Sequence, residues 1–382
     1  MKTALLFCAA ALPLAANYQP KTLALGAQAP DFTLPATDGK DYSLADFSGK
    51  KALAVIFTTN HCPDAIASHG RMVALVDHFE GKGVAVVAIN SNSPAGLHPP
   101  ELGWTAYDDS FADMKRIAAD EKFNLPYLYD GETQGTAKAY GAVATPHAFV
   151  FDGNLELVYE GRIDNGRRRL GPVEKNETRD AIQAVLDGKK PAVQKTRPAG
   201  CSTKWKEKAG MVAQEDAKWK KLPVALATAS ADEVVDLVKN ERAKTMRLFN
   251  VWATTCGPCV QEFPMLADIH RQYSWQPFEV VTVSLDDPSD EGAVKIFLTE
   301  QQMGTPPRLV KHLEEENRTA NNLLFKGDTE ELAKAFPGWN GSMPYTLFLS
   351  EKGEKLYEHH GIIDAEELKK VIAKQVWTMR GE

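Results

Sequence analysis

The chain has 382 residues, which at roughly 150 residues per domain favours two compact domains over one. Its composition, 43% hydrophobic and 25% charged with 27 Gly and 22 Pro, excludes collagen-like, disordered and coiled-coil chains. The net charge of -7, from 44 Lys and Arg against 51 Asp and Glu, gives no surface for tracking phosphate, so no nucleic-acid partner is expected. Five cysteines are too few to staple a scaffold of this size, so cysteine chemistry should be local.

In chain order, Met1-Lys2 and the apolar run Ala4 to Ala16 read as a cleaved secretory signal over residues 1–16. The run is too short to span a bilayer, which needs about 20 apolar residues. Cys8 would leave with it, and Cys62, Cys201, Cys256 and Cys259 would remain in a periplasmic or secreted product with no membrane span. Next comes a buried-strand run, Ala52 to Phe57, leading into Cys62 and a helical stretch, Ala65 to Phe79, then a second strand run, Val84 to Ile89. Thr145-Pro146 precedes a strand at Ala148 to Phe151, a turn at Asp152-Gly153, a strand at Leu155 to Glu160 and a helix at Thr178 to Leu186.

Between Gly188 and Leu222 the periodicity lapses. Lys189 to Lys221 carries ten Lys and Arg against three Asp and Glu, a local +7, so the rest of the chain sums to -14. This connector is either a solvated linker or a basic strap lying against two acidic bodies, aided by Trp205 and Trp219, with Cys201 in an electropositive setting.

Beyond it the first pattern returns. Met246 to Trp252 leads to Cys256-Gly257-Pro258-Cys259, a helix to Tyr273 and a strand at Phe278 to Ser284; Met343-Pro344 precedes strands at Thr346 to Leu349 and Lys355 to Glu358 and a helix at Ala365 to Trp377. Asn317 to Trp339 is expected as an insertion beside the site, and Asn176, Asn317 and Asn340 open weak glycosylation triplets. Strands alternating with helices and closing in a hairpin imply a mixed sheet covered on both faces, here twice in tandem. The expected class is α/β, with two thioredoxin-like units at 22–187 and 222–382 joined by 188–221.

A thiolate at a helix N-terminus is stabilised by free N–H groups and the helix dipole, so Cys256 should attack and Cys259, one turn on, should resolve. Zinc would need four ligands, and no second pair stands at suitable spacing. With Trp252, Glu262-Phe263-Pro264 and Met343-Pro344-Tyr345-Thr346, the stretch from Leu222 to Trp377 resembles the secreted thioredoxin-like thiol:disulfide interchange proteins. The resemblance implies that Glu262 sits under the dithiol and moves its proton, that Pro344 after Met343 is a cis-proline facing Cys256, that no cofactor is required, and that protein disulfides are substrates supplied with electrons by an upstream donor. Thr255 departs from the tryptophan common before the first cysteine.

Leu25 to Leu34, Asp38-Gly39-Lys40, Ser43 to Phe47, Phe57 to Pro63, Ala144 to His147 and Tyr159 to Asp164 resemble the redoxins, the superfamily of alkyl hydroperoxide reductases and thiol-specific antioxidants. The resemblance implies that Thr59, three before Cys62, binds a hydroperoxide beside the attacking thiolate, with Thr145-Pro146 and, as the one arginine candidate, Arg162 also facing substrate. Val55 replaces the proline usual four before that threonine. A sulfenic acid on Cys62 needs a thiol to condense with. Either Cys201 resolves it or the Cys256/Cys259 dithiol does so directly, tethering giving millimolar effective concentration; alternatively Cys62 and Cys201 form a permanent clamp. A further alternative gives Cys62, with His61, His69 and His147, to copper or zinc. The expected protein is a thiol:disulfide oxidoreductase with possible peroxidase chemistry, or a disulfide reductase with a non-catalytic first domain.

Overall fold

The computed structural model describes residues 20–168, 173–239 and 244–381; the proposed signal lies outside them. The first half opens with a hairpin, β1 (Thr33–Pro35) and β2 (Asp41–Ser43), followed by β3 (Ala52–Thr58), α1 (Pro63–His78), β4 (Val84–Asn90), α2 (Phe111–Asp120), β5 (Tyr127–Tyr129), α3 (Gly135–Tyr140), β6 (Ala144–Thr145), β7 (His147–Asp152), β8 (Leu157–Gly161) and α4 (Glu177–Leu186). The main sheet has order β5-β4-β3-β7-β8, parallel from β5 to β3 and antiparallel from β3 to β8. All seven residues of β3 are buried, as its unbroken apolar run requires of a strand with both faces covered. Met72, Ile117 and Ile182 pack on one face, Phe47, Tyr140 and Trp205 on the other.

The connector carries β9 (Cys201–Ser202) and α5 (Ala209–Trp219). Its first part is a strap tied to the first half. Glu160 N–H donates to Gln194 O (3.0 Å), Thr203 Oγ1 to Ala142 O (3.1 Å) and Gln134 Nε2 to Lys204 O (2.9 Å), while Trp205, 4% exposed, enters the core. Lys195 pairs with Glu160 at 2.6 Å, and Lys204 pairs with Glu101. Basic strap on acidic body is thus realised through specific pairs, and Trp219 on α5 turns instead to His270, 5.4 Å between ring centroids.

The second half contains β10 (Leu226–Ala229), α6 (Ala231–Lys239), β11 (Met246–Trp252), α7 (Gly257–Gln272), β12 (Phe278–Ser284), α8 (Glu291–Glu300), α9 (Pro307–Glu315), β13 (Asn322–Phe325), α10 (Thr329–Leu332), β14 (Tyr345–Leu349), β15 (Lys355–His360) and α11 (Ala365–Met379). Its sheet order is β10-β13-β12-β11-β14-β15. The expected insertion differs from the reading in extent and place. With α8 and α9 before it, its β13 enters the sheet between β10 and β12, two strands away from β11, and Leu332, Ala335, Phe336 and Trp339 join the cluster that holds Met343 and Tyr345.

The halves meet at the C-terminal end of α7 and along α11, where Lys370 pairs with Asp120 at 2.9 Å and Glu366 with Arg116 at 3.6 Å. Gln272 Nε2 donates to Thr105 O (2.8 Å), Tyr273 Oη to the same carbonyl (3.2 Å), and Trp377 Nε1 to Trp104 O (3.0 Å).

Candidate redox sites

Two cysteines open helices in the same way. β11 ends at Trp252, and Cys256 takes the N-cap position of α7 with Pro258 in the first turn, where its missing N–H costs nothing. Cys256 and Cys259 are joined as a disulfide, and Cys259 N–H donates to Cys256 Sγ (3.3 Å). Cys256 is half-buried and Cys259 is buried, so the first sulfur is the accessible one. The Met343-Pro344 peptide is cis. Glu262, one turn beyond Cys259 on the same buried helix face, accepts from Asn250 Nδ2 (2.7 Å) and Ile363 N–H (2.8 Å). Burial raises its pKa against those two donors, which suits a group that holds and releases a proton near neutrality. Glu262→Gln keeps the shape and removes the titration; dithiol exchange at neutral pH should slow by about a hundredfold, and an unaltered rate–pH profile would make Glu262 merely structural.

In the first half, β3 ends at Thr58 and Cys62 is the N-cap residue of α1, with Pro63 at its first position. Thr145-Pro146 is cis. Here the partner cysteine arrives on the strap: β9 pairs antiparallel with β6, setting Cys201 opposite Thr145. Cys201 N–H donates to Cys62 Sγ (3.2 Å), and Cys62 Sγ donates to Thr145 O (3.2 Å). Gly200 makes this approach possible, since a Cβ there would lie 1.9 Å from Thr145 O. Cys62 is fully buried and Cys201 only partly so, and both are free thiols. Burial alone would push the Cys62 thiol up. The Cys201 thiol, the charge on His61 and the N–H groups of Ala65 and Cys201 outweigh it and bring Cys62 down to about 7. The hydrogen bond to Cys62, burial and the Cys62 charge hold Cys201 far above its ordinary value.

Behind Cys62 lies a buried polar network that the sequence reading missed. Asp109 Oδ2 sits 2.6 Å from His61 Nδ1, and its Oδ1 accepts from Thr59 Oγ1 (2.6 Å) and Asn60 N–H (2.8 Å). Asn92 Nδ2 donates to Asp109 Oδ2 (2.8 Å), and Asn92 Oδ1 receives Lys204 N–H of the strap (2.8 Å). Burial pushes the His61 pKa down, but Asp109 and the Cys62 thiolate more than reverse it. Burial likewise opposes ionisation of Asp109, and His61, Thr59 and Asn60 hold its carboxyl well below the usual range. His61 Nε2 is buried without a hydrogen-bond partner among the described residues.

These contacts bear on three expectations. The Thr59 hydroxyl donates to Asp109 and accepts from Asn92 Nδ2 (2.8 Å), so it helps to orient the carboxylate behind His61. Arg162 is paired with Glu177, its Nε donating at 3.0 Å. The metal reading finds no clustered ligand set at Cys62 among the described residues, and there His147 Nε2 faces Glu160 Oε2 at 3.1 Å. Among the described residues the one clustered ligand set is Glu279, His312 and Glu316, where Arg247 and Arg318 already supply the positive charge.

α7 has 16 residues and rises about 24 Å. Its far end, at Gln272, contacts the first half, which also reaches the first turns of α11 through Asp120–Lys370 (2.9 Å) and Arg116–Glu366 (3.6 Å).

Residues 25–160 match the model of the AhpC/TSA family. The chain is similar to the thiol-disulfide oxidoreductase ResA of Oceanobacillus iheyensis, 33% identical over 107 residues, covering 28% of this chain and 45% of that protein. It therefore spans less than half of that relative's length. Among solved structures it is similar to an uncharacterized conserved protein from Geobacillus kaustophilus, with 38% identity over 50% of this chain and 94% of that one at a TM-score of 0.43. It is also similar to a hypothetical protein from Sinorhizobium meliloti, with 34% identity over 49% and 97% of the two chains at a TM-score of 0.44. No helix among the described residues is long and apolar enough to cross a membrane. With a cysteine at a helix N-terminus and a cis-proline in each half, the chain has a mixed α/β, thioredoxin-like fold, and the match to the AhpC/TSA family model covers its residues 25–160.

Proposed function

We propose that this chain is a thiol:disulfide oxidoreductase with one redox centre in each of two domains, 22–187 and 222–382, acting in the periplasm or outside the cell after loss of residues 1–16. The observation that carries the reading is the repeated arrangement of buried strand, helix-capping cysteine and cis-proline. In the second domain the partner is Cys259; in the first it is Cys201, presented by the strap. The dithiol Cys256/Cys259 reduces protein disulfides and clears a disulfide from the first domain. An oxidising compartment offers no thiol pool, so the dithiol draws electrons from an upstream dithiol donor.

The oxidant proposed for Cys62 is a small hydroperoxide, since a fully buried sulfur excludes a protein surface. The thiolate attacks the peroxide oxygen, the O–O bond breaks, and the departing alkoxide or hydroxide takes a proton from His61. Cys201 then condenses with the sulfenic acid, releasing water and leaving a Cys62–Cys201 disulfide. His61, held by Asp109, replaces Thr59 and Arg162 in the expected machinery.

Reduction of a disulfide-linked test protein such as insulin should fall by about a hundredfold or more in Cys256→Ser and in Cys259→Ser. Activity that survives both overturns the dithiol assignment. One equivalent of hydroperoxide added to the reduced chain should give a Cys62–Cys201 disulfide by peptide mass mapping. A Cys62 that stays an unmodified thiol removes the peroxide step.

A further inference from the structure

We propose that Gln272, in the second half of the chain, is a positioning residue for the first redox centre: it fixes the loop that carries Asp109, and so where that carboxylate stands behind His61 and how reactive Cys62 is. It rests on the reading that His61 and Asp109 serve Cys62, and adds what keeps Asp109 in place. The loop between β4 and α2 is built of two 3-10 turns, Pro94–Gly96 and Pro99–Leu102, and connecting backbone. Two of its carboxylates are tied to the first centre, Asp109 to His61 Nδ1 (2.6 Å) and Glu101 to Lys204 of the strap. Between them, the carbonyls of Leu102, Trp104 and Thr105 are met by side chains of the second half. Gln272 Nε2 gives one N–H to Leu102 O (3.1 Å) and the other to Thr105 O (2.8 Å), and Trp377 Nε1 gives its N–H to Trp104 O (3.0 Å). Tyr273 Oη has a single proton to share between Thr105 O (3.2 Å) and Lys369 O (3.0 Å), so it adds less. Gln272 is 4% exposed and Thr105 5%, so a lost bond there is not replaced from bulk water. A Cβ on Gly103 would lie 3.1 Å from Gln272 O, and its absence lets α7 end this close to the loop.

The position of the loop matters because Asp109 is a charge taken wholly out of water, and such a charge persists only while its donors stay in register. From Thr105 the hold passes to it in short steps. Thr105 Oγ1 accepts Tyr107 N–H (3.0 Å), and Tyr107 packs in the first core with Lys370 Nζ of the second half 5.5 Å from its ring centroid. Asp108 O then accepts Asn60 Nδ2 (2.6 Å), which sets the next residue, Asp109, against Asn60 and His61. Bonds made only with the loop in place favour that position by their own strength and no more, so the effect on Cys62 is bounded by the worth of the Gln272 bonds. α7 thus has a task at each end: the dithiol at Cys256 and Cys259, and the loop at Gln272.

The test follows thiolate absorbance against pH on the full-length chain, with Cys256 and Cys259 kept oxidised. The other ionisable groups around Cys62 are Cys201 and Lys204 on the strap, Glu101 beside Lys204, and Asp64 on α1 with Arg167 and Arg168 against it; the substitutions leave all of them in the chain. Gln272→Met keeps length and burial while removing both donors, and should lower the Cys62 thiolate fraction at pH 7 by about threefold, the factor that one net hydrogen bond supplies. Trp377→Phe removes the N–H to Trp104 O, should shift the fraction the same way, and decides the matter if Gln272→Met does not fold. Glu366→Gln removes the ion pair with Arg116 (3.6 Å) between the halves and spares the three carbonyls, so its titration should match the wild type. If Gln272→Met lowers the unfolding midpoint and leaves the Cys62 titration in place, Gln272 is only structural and the inference is overturned; an equal shift in Glu366→Gln overturns it too. Asp109→Asn separates the two claims. A titration that it fails to move removes the role of His61 and Asp109, and the inference with it. A titration that Asp109→Asn moves, and that Gln272→Met and Trp377→Phe do not, removes the inference alone.

Discussion

Asp109→Asn should raise the pKa of Cys62 from about 7 toward the ordinary thiol value of 9.0. The carboxylate keeps His61 charged from 2.6 Å away, in a site where neither group touches solvent. Asn keeps the size and some hydrogen bonds but removes the charge, so His61, buried, becomes neutral and Cys62 loses its counter-ion. Thiolate absorbance followed against pH, with Cys256 and Cys259 kept oxidised, reads this without needing a reagent to reach the buried sulfur. At pH 7 the thiolate fraction should fall about tenfold or more. A titration unchanged from the wild type would remove His61 and Asp109 from any part in activating Cys62.

The same substitution has a stability signature whose sign follows from the two shifts. Asp109 has a depressed folded pKa, so its contribution is present above the unfolded carboxylate value near 3.9 and fades as pH falls. His61 has a raised folded pKa, so its contribution is complete below the unfolded value near 6.5 and fades as pH rises through the folded value. The pair therefore stabilises most between about pH 4 and 6.5. Removing one member of a buried pair costs about 3–5 kcal/mol, and the difference in urea midpoint between wild type and Asp109→Asn should be largest in that window. A difference that is flat with pH would mean that packing, not charge, accounts for the loss.

This network marks where the sequence stopped being informative. The dithiol of the second half was readable because attacker, resolver, helix start and proton carrier lie within Cys256 to Glu262, and spacing alone sets them on one helical turn after another. The strands Met246–Trp252 and Phe278–Ser284 were readable because apolar residues predominate in each seven-residue segment. His61 and Asp109 are 48 residues apart, and only the return of the chain from β4 to α2 joins them. Nothing local in Asp108-Asp109-Ser110 distinguishes an ion-pair partner from a helix-capping turn. The contact of Thr59 with Asp109 was unreadable for the same reason, since a motif fixes where a hydroxyl sits but not which carboxylate will accept its hydrogen bond. β9 has two residues and β13 four, too short for any periodicity to show, and with them went the pairing of the strap and the true course of the insertion.

The strap is what closes Cys62, and loosening it should produce the largest change in the molecule's reactivity. Trp205→Ala removes a side chain that is 4% exposed in the first core, at a cost of about 3–5 kcal/mol. Gly200→Ala acts at the other end, because its Cβ at 1.9 Å from Thr145 O cannot coexist with the β6–β9 pairing. If the strap opens as a local unit, either loss raises the open population directly, and alkylation of Cys62 should accelerate by about a hundredfold. Trp219→Ala, on α5 against His270, leaves β9 in place and should change that rate by less than about twofold. Opening should also separate two quantities that a simple gain of access would move together. Oxidation of Cys62 by hydroperoxide should quicken, while the yield of the Cys62–Cys201 disulfide falls, because Cys201 is no longer held opposite Thr145. If both variants fold and Cys62 alkylates no faster than in the wild type, the strap does not control the site. If oxidation quickens with no loss of disulfide, Cys201 finds Cys62 without the pairing of β9 to β6, and the strap is a cover rather than the element that positions the second thiol.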